Sequence, residues 1–260
     1  YTTQREYLKQ GLGAKIKKKR LIVKALKDFN NCKNRVCVDY NFFNWYRTCI
    51  GDEFEGRIWV IPNFCIPVKD IDNKIKQKRD HIKILFARRF TKYRGTMIIA
   101  EAAKTILRKY KNVEFTFAGE GPEEEWLKNQ FKNNKRVSFI KYLPQESSDI
   151  HFNHDIAVVP SIASEGTSFS VIEAMGSGCA VVATAVGGIT NIIIDGFNGV
   201  LTMPNLNSFL IGLESVINDS YKRKNLQLNA FQTAKNAFSY DIWKKKWKNV
   251  LLEVANGKYC

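Results

Sequence analysis

The sequence lacks the paired cysteine and histidine spacings that bind structural zinc. No two cysteines form a C-x-x-C pair, and the histidines are not spaced as zinc ligands beside them. We therefore predict no metal site and interpret the thiols as reduced, as in a cytoplasmic protein. The residues concerned are Cys32, Cys37, Cys49, Cys65, Cys179, Cys260, His81, His151 and His154.

Long hydrophobic runs are also missing. No apolar stretch reaches the roughly 18 residues that span a bilayer, and residues 1–10 are too polar and charged for a signal peptide. With 260 residues, 45% of them hydrophobic, the chain is long enough to bury a full core. The composition predicts a soluble globular protein.

Acidic residues are scarce relative to basic ones. The chain has 25 Asp and Glu against 41 Lys and Arg, a formal net charge of +16. The excess is concentrated in residues 1–36, where the only acids are Glu6 and Asp28. The segment "AKIKKKRLIVKALKDF" fits a solvated helix face or a contact with an anionic membrane surface. No nucleic-acid motif accompanies the charge, so we do not expect nucleic acid as a partner.

Strand-like and helix-like segments alternate in the second part of the chain. Short apolar strands are predicted at 82–87, 113–119, 136–140, 155–160 and 179–184, with helices at 95–110 and 122–134. This alternation predicts an α/β fold with a Rossmann-like, doubly wound parallel sheet. The charged stretch 69–79 is the predicted linker, so we divide the chain into 1–75, part of a second domain, and 76–260.

Two loops at predicted strand ends look suited to an anion, because ligands of such sheets bind beyond the carboxyl ends of the strands. In "ASEGTSFSVIEAMG" a helix is predicted to begin near Thr167 or Ser168, with Glu165 before it and Glu173 within it. The free N–H groups of a helix start suit a phosphate. The two acids are then placed to accept hydroxyls on either side of a diphosphate. The alternative is that Glu165 caps the helix and Glu173 is a surface acid.

The second loop, "FARRFTKYRGT", follows the first strand of the predicted sheet. Arg88, Arg89 and Arg94 surround a strand-to-helix turn, and Gly95 permits close approach. Arginine binds phosphate oxygens bidentately and keeps its charge. A solvated basic turn is the alternative. One anion could contact both loops, and a ligand with hydroxyls on both sides of phosphates is a nucleotide sugar.

These motifs resemble the carboxyl-terminal domain of glycosyltransferase family 4, retaining transferases of the GT-B fold. The resemblance covers about 82–255 and lies in "RRFTKYRG", "AGEGPEEEWL" and "PSIASEGTSFSVIEAMGSGCAVVATAVGGITNIIIDGFNGVL". Glu165 and Glu173 match the family's E-x7-E motif. "VIPNF" (60–64) is similar to the end of the family's amino-terminal domain.

The resemblance implies a role for each matching residue. Arg89 and Arg94 contact the donor diphosphate, Arg94 standing where lysine is usual; Arg88 replaces a usual glycine. Glu165 holds the hydroxyls of the donor sugar, and Glu173 the ribose diol. The other implied binding residues are, for sugar and phosphates, Gly166, Thr167, Ser168, Phe169, Ser170 and Val171, and, for the nucleobase, Gly119, Glu120, Gly121, Lys141 and Tyr142.

The implied activity is transfer of a hexose-like sugar from a nucleoside diphosphate to an acceptor hydroxyl, without a metal or other cofactor. The acceptor is expected to be a glycan or glycolipid of cell-surface synthesis, at the cytoplasmic side of a membrane. About 75 residues precede the matching region, fewer than the family's acceptor domain has. We therefore expect a fragment that binds the donor and shows little or no turnover alone.

Other functions remain open from the sequence. An epimerase of the same fold would carry its catalytic acids and histidines outside this chain, and a phosphorylase would need a pyridoxal lysine, for which no motif is evident. A non-catalytic nucleotide-sugar-binding module is a third alternative. The helix predicted at 239–254, with Trp243 and Trp247 on one face, is expected either to pack on the amino-terminal part or to be a core helix.

Overall fold

A parallel sheet of six strands organises residues 82–202 of this computed structural model, which describes residues 11–50, 56–76, 80–163 and 165–257. Its strands are β3 (Ile82–Ala87), β4 (Val113–Ala118), β5 (Val137–Ile140), β6 (Ile156–Val159), β7 (Ala180–Thr184) and β8 (Val200–Thr202). Their order is β5-β4-β3-β6-β7-β8, with Ile84 paired to Phe115 on one side and to Ile156 on the other. The predicted Rossmann-like α/β fold is confirmed, and the order reverses direction between β3 and β6.

Helices cover both faces of this sheet because alternate strand residues point to opposite sides. Ile156 and Val158 of β6 belong to one apolar core, whereas Ala157 and Val159 belong to another. The first core is closed by α4 (Thr96–Lys109) and α8 (Leu206–Asn218), and the second by α7 (Phe169–Gly176) and α9 (Ser220–Ala237). The short helices α5 (Glu124–Gln130) and α6 (Ser147–Phe152) connect the remaining strands.

A separate pair of parallel strands forms the amino-terminal part, β1 (Asn34–Cys37) and β2 (Arg57–Val60). Helix α1 (Leu12–Asn30) precedes them and has no buried residue, which agrees with its basic sequence. Helix α2 (Tyr40–Ile50) packs Tyr46 edge-on against Phe29 of α1, with 4.8 Å between the ring centroids. Within the described ranges no helix is both long and apolar enough to cross a membrane.

The predicted linker is partly helical and docked on the sheet domain. Helix α3 (Ile71–Lys76) buries the side chain of Lys74, whose Nζ donates to the carbonyls of His151 (3.0 Å) and Ser177 (2.6 Å). The predicted linker therefore contains a short helix that contacts the sheet domain; residues 77–79 lie outside the described ranges. The division at residue 75 stays a prediction.

The chain passes between its two parts at two places that lie side by side. The amide of Cys65 donates to the carbonyl of Phe238 (2.8 Å), and the amide of Tyr240 donates to the carbonyl of Cys65 (3.2 Å). Helix α10 (Tyr240–Ala255) then returns toward the amino-terminal part, where Trp243 packs on Phe64. Only Val250 of this helix is buried. The structure thus favours packing on the amino-terminal part over a core helix.

Candidate functional site

The loops after β3 and β6 meet at the point where the strand order reverses. Gly95, which starts α4, has a φ of 83°, and a Cβ there would collide with the carbonyl of Pro160. The amide of Ile162 donates to the carbonyl of Tyr93 at 3.0 Å. Because the loops touch, side chains from both reach a single cleft, as expected for this sheet order.

This cleft, which we call the arginine cleft, has a volume of about 480 Å³. It brings together most of the residues predicted to contact sugar and phosphates, including Thr167. The lining consists of Arg88, Arg89, Thr91, Tyr93, Arg94, Ala163, Glu165, Gly166, Thr167, Ser168, Phe169 and Ser170.

Glu165 is the centre of an ion-pair network in the cleft. Its Oε1 lies 2.6 Å from Nη2 of Arg88 and 2.8 Å from Nη1 of Arg94, and the hydroxyl of Ser161 also donates to it. The side chains of Glu165 and Arg88 are each only 4% exposed, whereas that of Arg94 is 43% exposed. The alternative interpretation of Glu165 as a helix cap is not supported, because Ser168 is the residue at the cap position.

The charge state of Glu165 follows from these contacts. Burial alone raises the pKa of its carboxyl, but Arg88, the Ser161 hydroxyl and Arg94 outweigh burial and lower that pKa to about 2. Glu165 is therefore a carboxylate at any physiological pH. Since the cleft lining has three arginines and one acid, it keeps a formal surplus of two positive charges.

The start of helix α7 faces the arginine cleft. The helix begins at Phe169, Ser168 makes no capping bond, and the buried Ser168 hydroxyl has no hydrogen-bond partner. The hydroxyl of Ser170 donates to the carbonyl of Ala87 at the end of β3 (3.1 Å), which ties the first turn to the sheet. First-turn amides lack partners within the helix, so this end can accept an anion. The predicted helix start is confirmed within two residues.

A second cavity lies on the other side of this turn and contains Glu173. This Glu173 cavity has a volume of about 750 Å³ and collects most of the residues predicted near the nucleobase. Its lining is Ala87, Arg88, Arg89, Gly119, Glu120, Gly121, Pro122, Glu124, Tyr142, Pro144, Ser147, Phe169, Ser170 and Glu173. Arg89 lines both spaces, so one elongated ligand could occupy them together.

Glu173 has no ion-pair partner among the residues that the structure describes. The Ser147 hydroxyl donates to its Oε2 at 2.9 Å. Burial raises the pKa of the Glu173 carboxyl, and the Ser147 bond only partly offsets this. Burial, together with the nearby Glu173, also raises the pKa of Tyr142 to about 12, so the phenol stays protonated. These groups can exchange hydrogen bonds with hydroxyls without adding positive charge.

Two predicted residues lie outside both linings. Val171 is fully buried, and its amide donates to the carbonyl of Ser168 at 3.1 Å, so that N–H is already used. Lys141 pairs with Glu120 at 3.1 Å on the surface. The Val171 amide is therefore not available to a ligand unless this bond breaks, whereas Lys141 keeps further N–H donors beside its contact with Glu120. No group of three or more candidate metal ligands occurs among the residues that the structure describes.

A third space opens where the amino-terminal part meets the cleft. It has a volume of about 820 Å³ and is shared between the end of β1, aromatic side chains of α1 and α2, and the loop at Glu165. Its lining is Phe29, Val36, Cys37, Val38, Asp39, Asn41, Phe42, Trp45, Glu165 and Gly166. The Thr167 hydroxyl donates to the carbonyl of Val38, which holds the two parts together here.

Sequence reasoning places Arg88 in the basic loop but does not predict its buried ion pair with Glu165. It gives no role to Ser161 or Asp39. The sequence signal for Arg88 is the adjacent pair "RR" at a strand end. If one of two adjacent arginines faces inward, it needs a buried counter-charge. Nothing in the local sequence indicates Ser161 or Asp39, since both depend on the approach of distant loops.

Comparison with known proteins finds a family that matches more than half of the chain. The family "Glycosyl transferases group 1" matches residues 68–233. An uncharacterized glycosyltransferase of Methanocaldococcus jannaschii is 28% identical over 241 residues, which are 88% of this chain and 58% of that protein. The lipopolysaccharide 1,2-N-acetylglucosaminetransferase of Salmonella typhimurium is 24% identical over 213 residues, 75% of this chain and 54% of that protein. The chain thus spans about half the length of the curated relatives it matches.

Solved structures agree with this match. A carboxyl-terminal domain of a glycosyl transferase group 1 protein from Francisella tularensis is 27% identical, with a TM-score of 0.58, and covers 67% of this chain and 96% of that one. Sucrose-phosphate synthase from Thermosynechococcus elongatus has a TM-score of 0.77 at 19% identity, covering 92% and 62%. Anabaena HepE in complex with UDP has a TM-score of 0.73 at 20% identity, covering 88% and 66%. The last two similarities are at the level of the fold.

Proposed function

The chain belongs to the glycosyl transferases group 1 family, and we propose that it supplies the donor half of a retaining glycosyltransferase of family 4. The enzyme would move a sugar from a nucleoside diphosphate to an acceptor hydroxyl. The observation that carries the proposal is the arginine cleft, where Arg89, Arg94 and the start of α7 surround one open space beside Glu165.

The diphosphate is the natural occupant of the arginine cleft. A nucleoside diphosphate sugar carries two negative charges on its phosphates, and the cleft lining has a surplus of two positive charges. When the sugar departs, charge develops on the leaving diphosphate. Arg89, Arg94 and the helix start then stabilise it, and removal of one such contact typically costs about 10²–10³ in rate.

Glu165 positions the sugar and does not act as a base. A carboxylate with a pKa of about 2 is a weak proton acceptor at neutral pH. Its burial beside two guanidiniums instead suits it to accept hydrogen bonds from donor hydroxyls. Glu173 is proposed to accept the ribose diol, with Gly119, Gly121 and Tyr142 enclosing the base.

UDP is the first nucleotide to test. HepE was solved with UDP, and a pneumococcal O-GlcNAc transferase that aligns with 88% of this chain was solved with UDP and GlcNAc. The acceptor is proposed to be a glycan or glycolipid, since the Salmonella relative is named for lipopolysaccharide. We further propose that turnover needs protein beyond this chain, and that this chain alone binds the donor.

Titration calorimetry with a panel of UDP- and GDP-sugars tests the donor site. We expect at least one to bind, and Glu165→Ala or Arg94→Ala to weaken binding strongly. Arg108→Ala is a matched control, because this exposed arginine lies on the last turn of α4, about 20 Å along the helix from Gly95. Absence of binding to every nucleotide would refute the proposal. Multiple turnover by this chain alone would refute only the proposal that turnover needs protein beyond this chain.

Membrane contact through α1 is a finer part of the proposal. The helix exposes Leu12, Leu21 and Val23 among lysines and has no acid in its first turn. Such a helix binds anionic lipid in a salt-dependent manner. The fraction of protein that co-sediments with vesicles containing phosphatidylserine should fall as salt rises. Absence of the protein from the pellet at low salt would refute membrane contact through α1.

A further inference from the structure

Arg88 is buried in the site but is not explained by the proposed roles of its neighbours. It directly follows β3, and its side chain is 4% exposed. Nη1 donates to the hydroxyl of Ser161, and Nη2 lies 2.6 Å from Oε1 of Glu165. Its Nε is buried without a partner. A buried guanidinium is costly unless paired, so Glu165 must be ionised to keep Arg88 in place.

The donors around Glu165 converge on a single oxygen. Arg88, Arg94 and Ser161 all contact Oε1, and within the described part of the chain no donor contacts Oε2. Glu165 lines both the arginine cleft and the space below the end of β1. Oε2 is therefore the carboxylate oxygen that remains available to a ligand.

Arg88 and Arg94 contact the same oxygen but differ in freedom. Arg94 is 43% exposed and sits on the turn before Gly95, whereas Arg88 is enclosed. If Arg94 turns toward an anion, Glu165 keeps Arg88 as its counter-charge. Without Arg88, Arg94 would be the only cation on Glu165 among the residues that the structure describes, and its movement would leave a buried carboxylate unpaired.

We propose that Arg88 is a positioning residue for the donor: it holds Glu165 through Oε1, so that Oε2 accepts hydroxyls of the sugar and Arg94 is released to the diphosphate. This inference rests on the proposed function. It makes Arg88 responsible for the difference in affinity between a nucleotide sugar and the free nucleotide.

The test compares UDP-glucose, UDP-N-acetylglucosamine and UDP as calorimetric probes of the full chain. In Arg88→Met we expect the ratio of sugar-nucleotide to UDP affinity to fall about 10- to 100-fold, because hydrogen bonds to a misplaced carboxylate are lost. Arg88→Lys should recover part of the ratio. Arg136→Met, which removes an arginine bonded to the carbonyl of Tyr110 away from the site, should leave the ratio unchanged.

A pH series separates positioning from a merely structural effect. In Arg88→Met the pKa of Glu165 should rise, since burial is then opposed by the Ser161 hydroxyl and Arg94 without Arg88, and the sugar-dependent affinity should decline as pH falls from 8 toward about 5. The wild-type ratio over the same range corrects for titration of UDP itself. Wild-type protein should show no such decline.

Each outcome is decisive. If Arg88→Met does not fold, Arg88→Met/Glu165→Gln removes both buried charges and should fold, with a low and pH-independent ratio. An unchanged ratio in either variant overturns the inference while leaving the proposed function intact. If the wild-type chain binds none of the probes or other UDP- and GDP-sugars, the proposed function fails, and the role of Arg88 fails with it.

Discussion

Glu165 and Glu173 belong to the two ends of one short segment, yet their surroundings are opposite. In the arginine cleft, Arg88 and Arg94 lower the pKa of Glu165, whereas in the Glu173 cavity burial raises the pKa of Glu173, and Ser147 is its one donor among the described residues. Burial acts in the same direction on both acids. The difference shows that ion pairing with Arg88 and Arg94, and not burial, sets the charge state of Glu165 apart from that of Glu173.

Glu165→Gln should produce the largest change in stability. It leaves Arg88 buried without a counter-charge, for which we expect a loss of about 3–5 kcal/mol in the free energy of unfolding at pH 7. Urea denaturation followed by circular dichroism measures this. A loss below about 1 kcal/mol would contradict the view that this pair is buried and tightly coupled.

The same variant should change the acid response. The folded pKa of Glu165, about 2, lies below its ordinary value of 4.5, so its contribution, about 3 kcal/mol, is present above pH 4.5 and lost as pH falls toward 2. Glu165→Gln should lack this loss. His151 and His154, whose pKa burial lowers to about 4, destabilise both proteins equally below pH 6.5. Parallel stability curves of variant and wild type would be the contrary result.

Gly95→Ala should produce the next largest loss of stability. It tests the loop contact that closes the arginine cleft. A Cβ meets the Pro160 carbonyl, and the φ of 83° is itself unfavourable, so we expect a loss of at least about 2 kcal/mol. Gly196→Ala is the matched control, with a φ of 74° and open space around the Cβ; about 1 kcal/mol is expected there. Equal losses would show that the collision with Pro160 is relieved.

Glu173→Gln should have the smallest effect on stability and the opposite sign. Because the folded pKa is raised, the stability that protonated Glu173 contributes is present below pH 4.5 and lost as pH rises through the folded pKa. The neutral amide avoids this, so we expect a slight gain, within about 1 kcal/mol, at pH 7. Ser147→Ala, which removes the donor to Glu173, should instead reduce stability. A marked loss in Glu173→Gln would mean that the carboxylate has a cationic partner.

Most of the sheet domain and the position of the cleft could be predicted from the sequence. Strands such as β6 and β7 are continuous runs of buried residues, so their apolar letters alone indicate them. The helix start at Phe169 follows from the run of small polar residues before it. Strand β8 was missed because it has only three residues and lies next to a glycine-rich turn.

What the sequence could not provide is the pairing of distant groups. Arg88 and Glu165 are 77 positions apart, and Lys74 reaches the carbonyl of Ser177 across 103 positions. Local sequence patterns indicate which face of a helix or strand is apolar. They do not indicate which loops will contact each other in the folded protein. For the same reason the charged sequence at 69–79 does not indicate that α3 docks on the sheet domain.

The paired crossing at Cys65 and Phe238 limits how the two parts of the molecule can move. The two segments that cross between the parts are hydrogen-bonded to each other at Cys65, Phe238 and Tyr240, so they behave as one short ribbon. A rotation that keeps those bonds must have its axis close to Cys65. Such a swing would break the bond from the Thr167 hydroxyl to the Val38 carbonyl and change the width of the space around Glu165, while barely displacing the ribbon itself.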